Sequence, residues 1–323
     1  MTTRRTLLKA PLLLLAGAAS ASPRAAPAPS VIRFIVPGSV GTGADVTGRY
    51  MAREVETSRR TPVVVENKPG AGGVIGTDFV AKAPPDGSTI LIISANHYVL
   101  PWIYKNLPFD AQNDFAPVAS FGSSTLAVVV APDSPYRSIQ DVVAQAKRHG
   151  DALSYSSAGN GTLSHISGAL LNAMAGTRIK HLPYKNASQG LIDVSSGAVT
   201  LGFLGMAGAL PLIKSGRLKA IAVTSAARSV YLPEVPAVAE SGLGGYDISS
   251  PFIALSPQST PPAVLRPLSE GISAAAESGS FKTFCATQGL EPVAESYASF
   301  ASSMPQEFAR WHKLVQFASA TAG

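Results

Sequence analysis

Between an apolar run and an amphipathic one, the segment 36-VPGSVGTGADVTGR-49 interposes Gly38, Ser39, Gly41, Thr42, Gly43 and Asp45. A backbone so bare of side chains, set after a strand and before a helix, leaves amide N–H groups exposed. They lie at the positive end of the helix dipole, where an anion is favoured. The loop lacks the G-K-[S/T] ending of a phosphate-binding P-loop, and Val46 stands where a dinucleotide fingerprint needs its third glycine. One such loop is as readily a tight turn as a site. The unit recurs, however, at 67-NKPGAGGVIG-76, at 156-SSAGNGTLSH-165 and, less clearly, at 184-YKNASQG-190. These loops add Gly70, Ala71 and Gly72, then Gly159, Asn160, Gly161 and Thr162, and finally Ser188, as candidate ligand-binding residues. A helix start contributes roughly 0.3–1 kcal/mol toward an anion, and a charge-assisted hydrogen bond about 1.5–3 kcal/mol. Two or three such bonds with modest apolar burial reach the ~8 kcal/mol of a micromolar complex. That suffices for capture and requires no catalyst.

Catalytic and metal-binding patterns are missing from the sequence. There is no G-x-S-x-G elbow and no H-E-x-x-H, and the five histidines are dispersed without a metal-ligand spacing. No cofactor motif is complete, so neither a metal nor a cofactor is expected. His165, near the start of the helix after Thr162, reads either as a partner of a neighbouring loop or as a general base. His97, in 94-SANHYV-99, either lines a cleft or caps a turn. Asp45 either complements the dipole of its helix or meets a ligand ammonium. Thr162 fits a helix cap whose hydroxyl can also turn to a ligand. Asn67 is expected to order its loop, and Lys185 to be a solvated lysine or a carboxylate partner. Cys285, the single cysteine, reads as a buried apolar thiol and excludes an intrachain disulfide.

The elements that must position these loops alternate along the chain. Strands are predicted at 31–36, 62–67, 89–95, 126–131, 153–158, 179–184, 199–204, 218–225 and 252–256. Helices are predicted at 44–59, 74–83, 138–149, 162–175, 187–196 and 207–215, with a largely helical stretch from Pro262 onward. Strands linked by helical crossovers imply an α/β fold, with mostly parallel sheets flanked by helices and two lobes joined in the middle. In such sheets the loops at the carboxyl ends of the strands gather at one edge, so facing lobes would converge several helix starts on one cleft.

Composition sets the compartment. The chain of 323 residues is 46% hydrophobic and 14% charged, with a formal charge of +6. Arg4, Arg5 and Lys9 precede the apolar 11-PLLLLAGAA-19 and an A-x-A site at 19–21, the pattern of a signal peptide over 1–21. Its removal lowers the charge from +6 to +3, and no Lys/Arg cluster offers a nucleic-acid face. The run 3-TRRTLLK-9 is similar to a twin-arginine signal, with Leu7 where that signal prefers Phe. Residues 22–30, rich in Pro and Ala, read as a flexible leader. A protein exported to the periplasm and soluble there is expected.

The run 65-VENKPGAGGVIGTDFVAKAPPDGSTILI-92 closely resembles the signature of the Bug-type periplasmic receptors of tripartite tricarboxylate transporters. The resemblance continues through 104-YKNLPFDAQNDFAPVA-119, 158-AGNGTLSHISGALL-171, 181-HLPYKNASQGLIDVSSGAV-199, 210-LPLIKSGRLKAIAVTSAARS-229 and 233-PEVPAVAESGL-243. It implies a two-lobed, type II-like clamshell, one lobe from 31–124 and 248–323 and the other from 125–247. It further implies a non-catalytic, monomeric receptor that closes on a small organic carboxylate and delivers it to integral-membrane transporter subunits. A di- or tricarboxylate, an amino acid or an aromatic acid fits that class. The loops matching 37–45, 69–73 and 159–162 would hold the ligand. The sequence departs from the family in the first of these: Gly38 replaces an aromatic, Ser39 and Val40 replace prolines, and Thr42 replaces a glycine. Thr200 stands where an acid is common. Loss of the aromatic and the prolines widens and loosens that wall. A sensor module for a membrane kinase shares the same cleft, and a secreted enzyme with His165 as base predicts turnover.

Overall fold

A computed structural model describes residues 29–320 apart from 150, 151, 161, 185 and 186. The expected signal peptide and all but the last two residues of the expected leader lie outside the described residues.

The first sheet begins with β1 (Ile32–Val36), whose apolar side chains are almost all buried. It feeds helix α1 (Gly43–Arg59), which buries Thr47, Gly48, Met51, Ala52 and Val55 at helical spacing and ends at Arg60 in the left-handed region. Strand β2 (Val63–Asn67), a short 3-10 turn over 71–73, helix α2 (Val74–Ala81) and strand β3 (Thr89–Ser94) follow. Then come α3 (Asn96–Ile103) and the long β4 (Phe115–Ser124), neither of which the sequence pattern had suggested.

After one residue the chain enters the second sheet as β5 (Leu126–Val130). Helix α4 (Ile139–Arg148) is fixed by a capping box between Ser138 and Asp141 and by Lys147 and Arg148 in its last turn. The alternation continues with β6 (Ser154–Ser157), α5 (Leu163–Ala175), β7 (Lys180–Pro183) and α6 (Ala187–Ser195). It closes with β8 (Leu201–Gly205), α7 (Met206–Lys214) and β9 (Lys219–Val223). The chain then returns to the first sheet as β10 (Ser250–Pro257). Helices α8 (Pro262–Glu277) and α9 (Gly279–Gln288), strand β11 (Glu291–Glu295) and helix α10 (Tyr297–Ala320) complete it.

The strand orders are β11-β4-β10-β3-β1-β2 and β7-β6-β8-β5-β9. Both sheets are mixed. In the first, β1 pairs parallel with β2 and β3, while β10 lies antiparallel between β3 and β4, which themselves share a direction. In the second, β6 pairs parallel with β7 and β8, and β5 lies antiparallel between β8 and β9. The inserted strand in each sheet is thus the one that has just crossed from the other lobe, and it must run backward to fill the gap.

One apolar cluster runs continuously from the first sheet into the second. Helix α10 packs on α3 and β4 on one side and on α5 on the other. Its Phe308, Trp311 and Leu314 share a core with Ile166 and Leu170 of α5. The Tyr246 hydroxyl, buried on the return crossing, donates to Ser167 O of α5 at 3.0 Å.

Candidate functional site

The carboxyl ends of β1, β2 and β3 open onto one cavity of ≈ 610 Å³, lined by residues of 37–44, of 69–73, and by Ser94 and Asn96. Its remaining wall is Ser124 and Ser250 from the two crossing strands, Phe252 of β10, and Leu163 at the start of α5. Leu163 also lines a second cavity of ≈ 260 Å³ bounded by the ends of β6 and β8. The two cavities therefore share a wall residue at a helix start of the second lobe.

Thr42, at the N-cap of α1, makes no side-chain cap bond; its hydroxyl donates to Ser39 O at 2.9 Å instead. The first-turn amides of α1 are accordingly left uncapped beside the cavity. The second loop holds Gly70, Ala71, Gly72 and Gly73 at φ 133, 47, 64 and 104°. This run of positive φ curls the loop into a tight turn, closed by the Gly73 N–H donating to Gly70 O at 2.9 Å, and sets bare backbone against the cavity. Ala71 adopts that region without a glycine's freedom, at a cost of order 1 kcal/mol.

Side chains behind the loops hold them in place. Asn67 donates its amide to Gly38 O at 3.0 Å and to Asp45 Oδ1 at 2.9 Å. Asp45 Oδ2 accepts the Gly41 N–H at 2.9 Å, and Arg49 pairs with Asp45 Oδ1 at 2.9 Å. Asn96 donates to Gly72 O at 2.7 Å, tying α3 to the second loop. The loops also pack without intervening side chains: a Cβ on Gly76 of α2 would lie 2.7 Å from Lys68 O and 2.8 Å from Pro37 Cα. Burial pushes the Asp45 carboxyl upward, but the Arg49 guanidinium, the Gly41 amide and Asn67 outweigh it and hold it below its ordinary value.

In the second lobe, the Thr162 hydroxyl caps α5 by accepting the His165 N–H at 3.4 Å and donates to Gly159 O at 2.7 Å. Ser157, on the cavity wall, contacts His181 Nε2 at 2.6 Å, and the His181 ring stacks on His165 at 4.1 Å. Burial, then the neighbouring His165, pushes His181 down to about 4; burial lowers His165 as well. Gly205 begins α7 on the same cavity with no side-chain cap. Among the described residues, no charged side chain lines either cavity, and no group of three His, Cys, Asp or Glu is placed to hold a metal.

Of the sequence-predicted residues, Gly38, Ser39, Thr42, Gly43, Gly70 and Gly72 line the first cavity, and Thr162 the second. Others lie elsewhere. His97 is fully buried, its Nε2–H donating to Ala111 O at 2.8 Å and its ring edge-on to Phe115 and Phe308. It belongs to the core, because α3 turns it away from the cleft. His165 is 2% exposed and stacks within the second lobe, so it does not reach the cavity as a base would have to. Asp45 is 2% exposed with both oxygens engaged behind the loop. The Gly41 and Gly159 amides are given to Asp45 and Ser157, and neither residue lines a cavity. Ala71 and Asn160 sit on exposed turns outside the lining. Gly161, Lys185 and the side chain of Ser188 lie outside the described residues. Ser94, Asn96, Ser124, Ser250 and Phe252 line the first cavity without having been singled out. Of these, Ser94 and Asn96 were marked by their place at the end of a predicted strand.

Two α/β lobes joined by a double crossing, with helix starts and hydroxyls lining two cavities that share Leu163, define a two-lobed solute-binding protein of the periplasmic type. The chain belongs to the tripartite tricarboxylate transporter family of receptors, which its residues 48–319 match. Protein BugT of Bordetella pertussis is 31% identical over 287 residues, covering 88% of both chains. A TctC solute-binding protein from Polaromonas, solved with no ligand, superposes with a TM-score of 0.80 at 25% identity, over 88% of this chain and 98% of that one. The R. palustris protein Rpa4515, solved with adipate, gives a TM-score of 0.72 at 28% identity, over 90% and 98%. No described helix is long and apolar enough to cross a membrane.

Proposed function

We propose that the protein captures a small organic carboxylate between its lobes and hands it to the membrane subunits of a tripartite tricarboxylate transporter. The observation that carries this reading is the lining itself: the uncapped starts of α1 and α2 and several hydroxyls, with no charged side chain, around a cavity of ≈ 610 Å³. Fixed N–H dipoles suit a carboxylate and offer no partner to a cation. Asp45, the acid behind the first loop, is taken up by Arg49, Asn67 and Gly41, which favours acids that lack an ammonium over amino acids. The adipate found in a relative supports a linear dicarboxylate, and the missing side chain at Gly38 leaves room for a bulkier body.

The lobes are 31–124 with 248–323, and 125–247. The protein acts as a monomer without catalysis, after export by a cleavable signal at 1–21 of twin-arginine character. A thermal-shift screen of mono-, di- and tricarboxylates, amino acids and nicotinate-like acids tests the reading, because a ligand of the folded state raises the midpoint by mass action. Dicarboxylates should give the largest shifts and be recovered chemically unchanged by mass spectrometry. A shift confined to cationic or neutral solutes, or turnover of the acid, would overturn it.

A further inference from the structure

A third cavity, ≈ 190 Å³, lies at the crossing between the lobes, away from the solute cleft. Its floor is Tyr98 of α3 and Ser120 and Ser123 of β4, and its mouth is Asp247, Glu295, Glu307 and Arg310. Tyr98, Ser120 and Ser123 are 0, 2 and 6% exposed, yet their hydroxyl oxygens have no hydrogen-bond partner in the protein. Asp247 Oδ1, at the same cavity, has none either. Buried polar atoms are almost always satisfied, so four orphans around one chamber point to a bound species.

The charge around the chamber identifies its class. Arg310 forms a bidentate pair with Glu307 at 2.8 and 2.6 Å and donates to Asp247 O at 2.9 Å. Glu307 is thereby neutralised. The second Asp247 oxygen sits 3.6 Å from Arg310, and Glu295 accepts only the Ser303 hydroxyl at 3.1 Å. Three carboxylates against one guanidinium leave a negative interior. Burial, then the Glu307 and Glu295 charges, pushes the Tyr98 phenol upward, in keeping with that field.

We infer that this chamber binds a small monovalent cation, an alkali ion or ammonium, through the oxygens of Asp247, Glu295, Tyr98, Ser120 and Ser123. With Glu307 taken by Arg310, the chamber offers two carboxylates and three neutral hydroxyls, and among the described residues no three His, Cys, Asp or Glu side chains converge as a divalent transition metal would need. A volume of ≈ 190 Å³ is several times the ~30 Å³ share of one water, so the ion keeps part of its hydration shell. Ser120 and Ser123 lie just before the outward crossing and Asp247 just before β10 on the return one. The ion therefore ties both crossing segments to α10.

The test is thermal unfolding of the purified protein in N-methylglucamine chloride, with that salt exchanged stepwise for NaCl, KCl or NH4Cl at constant ionic strength. One of the small cations should raise the midpoint saturably. Asp247→Asn and, separately, Ser120→Ala should weaken that response about tenfold or more, since each removes a buried oxygen ligand or its charge. Solute affinity, measured by calorimetry in parallel, reports on the cleft independently. Indistinguishable curves in all four salts would mean that the chamber holds water only and would overturn the inference. So would a saturable shift that Ser120→Ala leaves intact, and this variant decides the matter if Asp247→Asn does not fold.

Discussion

Gly43 is the first residue of α1, exposed to the cavity, and its missing side chain is what lets Phe252 stand against the helix start. A Cβ built there would lie 2.8 Å from Phe252 Cζ and 3.0 Å from Cε1. Phe252 is 4% exposed in the middle of the first sheet, so its ring cannot swing clear into solvent. In Gly43→Val the helix recovers a few tenths of the ~1 kcal/mol that glycine costs it. Overpacking against the ring costs about 1–3 kcal/mol, so the variant is modestly destabilised but folded. The larger effect falls on binding. The valine methyls cover the Gly43 and Ala44 amides, and loss of one charge-assisted bond removes about 1.5–3 kcal/mol, roughly ten- to 150-fold in affinity. Titration calorimetry with the best acid from the screen measures this, with a thermal melt to establish that the variant is folded. A folded Gly43→Val protein that binds within about threefold of wild type would refute the assignment of the α1 start as a ligand contact.

Two further substitutions separate loop positioning from core packing. Asp45→Asn keeps the shape but removes the charge that faces Arg49 and one acceptor of the Gly41–Asn67 network, so a loss of about 1–3 kcal/mol is expected together with weaker binding. The folded Asp45 carboxyl titrates below its ordinary value, so its contribution is full above the unfolded carboxylate range and lost as pH falls through the folded value. Urea unfolding at neutral and acid pH should show the two proteins converging in acid. His97→Phe should leave solute affinity unchanged, and a tenfold loss would return His97 to the cleft. Burial lowers the His97 ring from 6.5 to about 4, the Ala111 carbonyl only partly opposing it. Stability present above pH 6.5 is therefore lost as pH falls toward 4, by about 3 kcal/mol in wild type and by much less in His97→Phe.

The parts of the fold legible in the sequence are those fixed locally. The strand–glycine–helix units at 31–59, 62–81 and 153–175 carry their own periodicity and stops, and they appear within a residue or two of expectation. Strand β4 carries no such signal: Pro117, Gly122 and three serines dilute it, and it is a strand because β10 and β11 pair with it on both sides. Helix α3 holds Pro101 within eight residues, and β11 holds Pro292 within five, so packing outweighs propensity in both. The site divides along the same line. Its glycine loops were readable, whereas Ser124 and Ser250 meet the cavity only because the reversed β10 inserts beside β4. His97 follows a strand end just as the true lining residues do. The Ala111 carbonyl, Phe115 and, far along the chain on α10, Phe308 draw it into the core.

The absence of charge from the described lining has a consequence for how such a protein works. A guanidinium facing an open cleft would stay hydrated until the ligand displaced its water, and a buried one would burden the unliganded protein with an unpaired charge. Amide dipoles at helix starts are anchored by the helices behind them, and water hydrates them readily before the solute arrives. Binding then rests on several modest hydrogen bonds from different elements. On the proposed reading, those from the first lobe are in place whether or not the second has closed, while those from α5 and α7 are added on closure of the second lobe onto the same solute. A ligand shifts the equilibrium by no more than its differential contacts with the two states. The second-lobe donors therefore set closure, and the first-lobe loops, braced by Asn67, Asp45 and Asn96, set capture. Leu163, on the wall of both cavities, stands where those two contributions join.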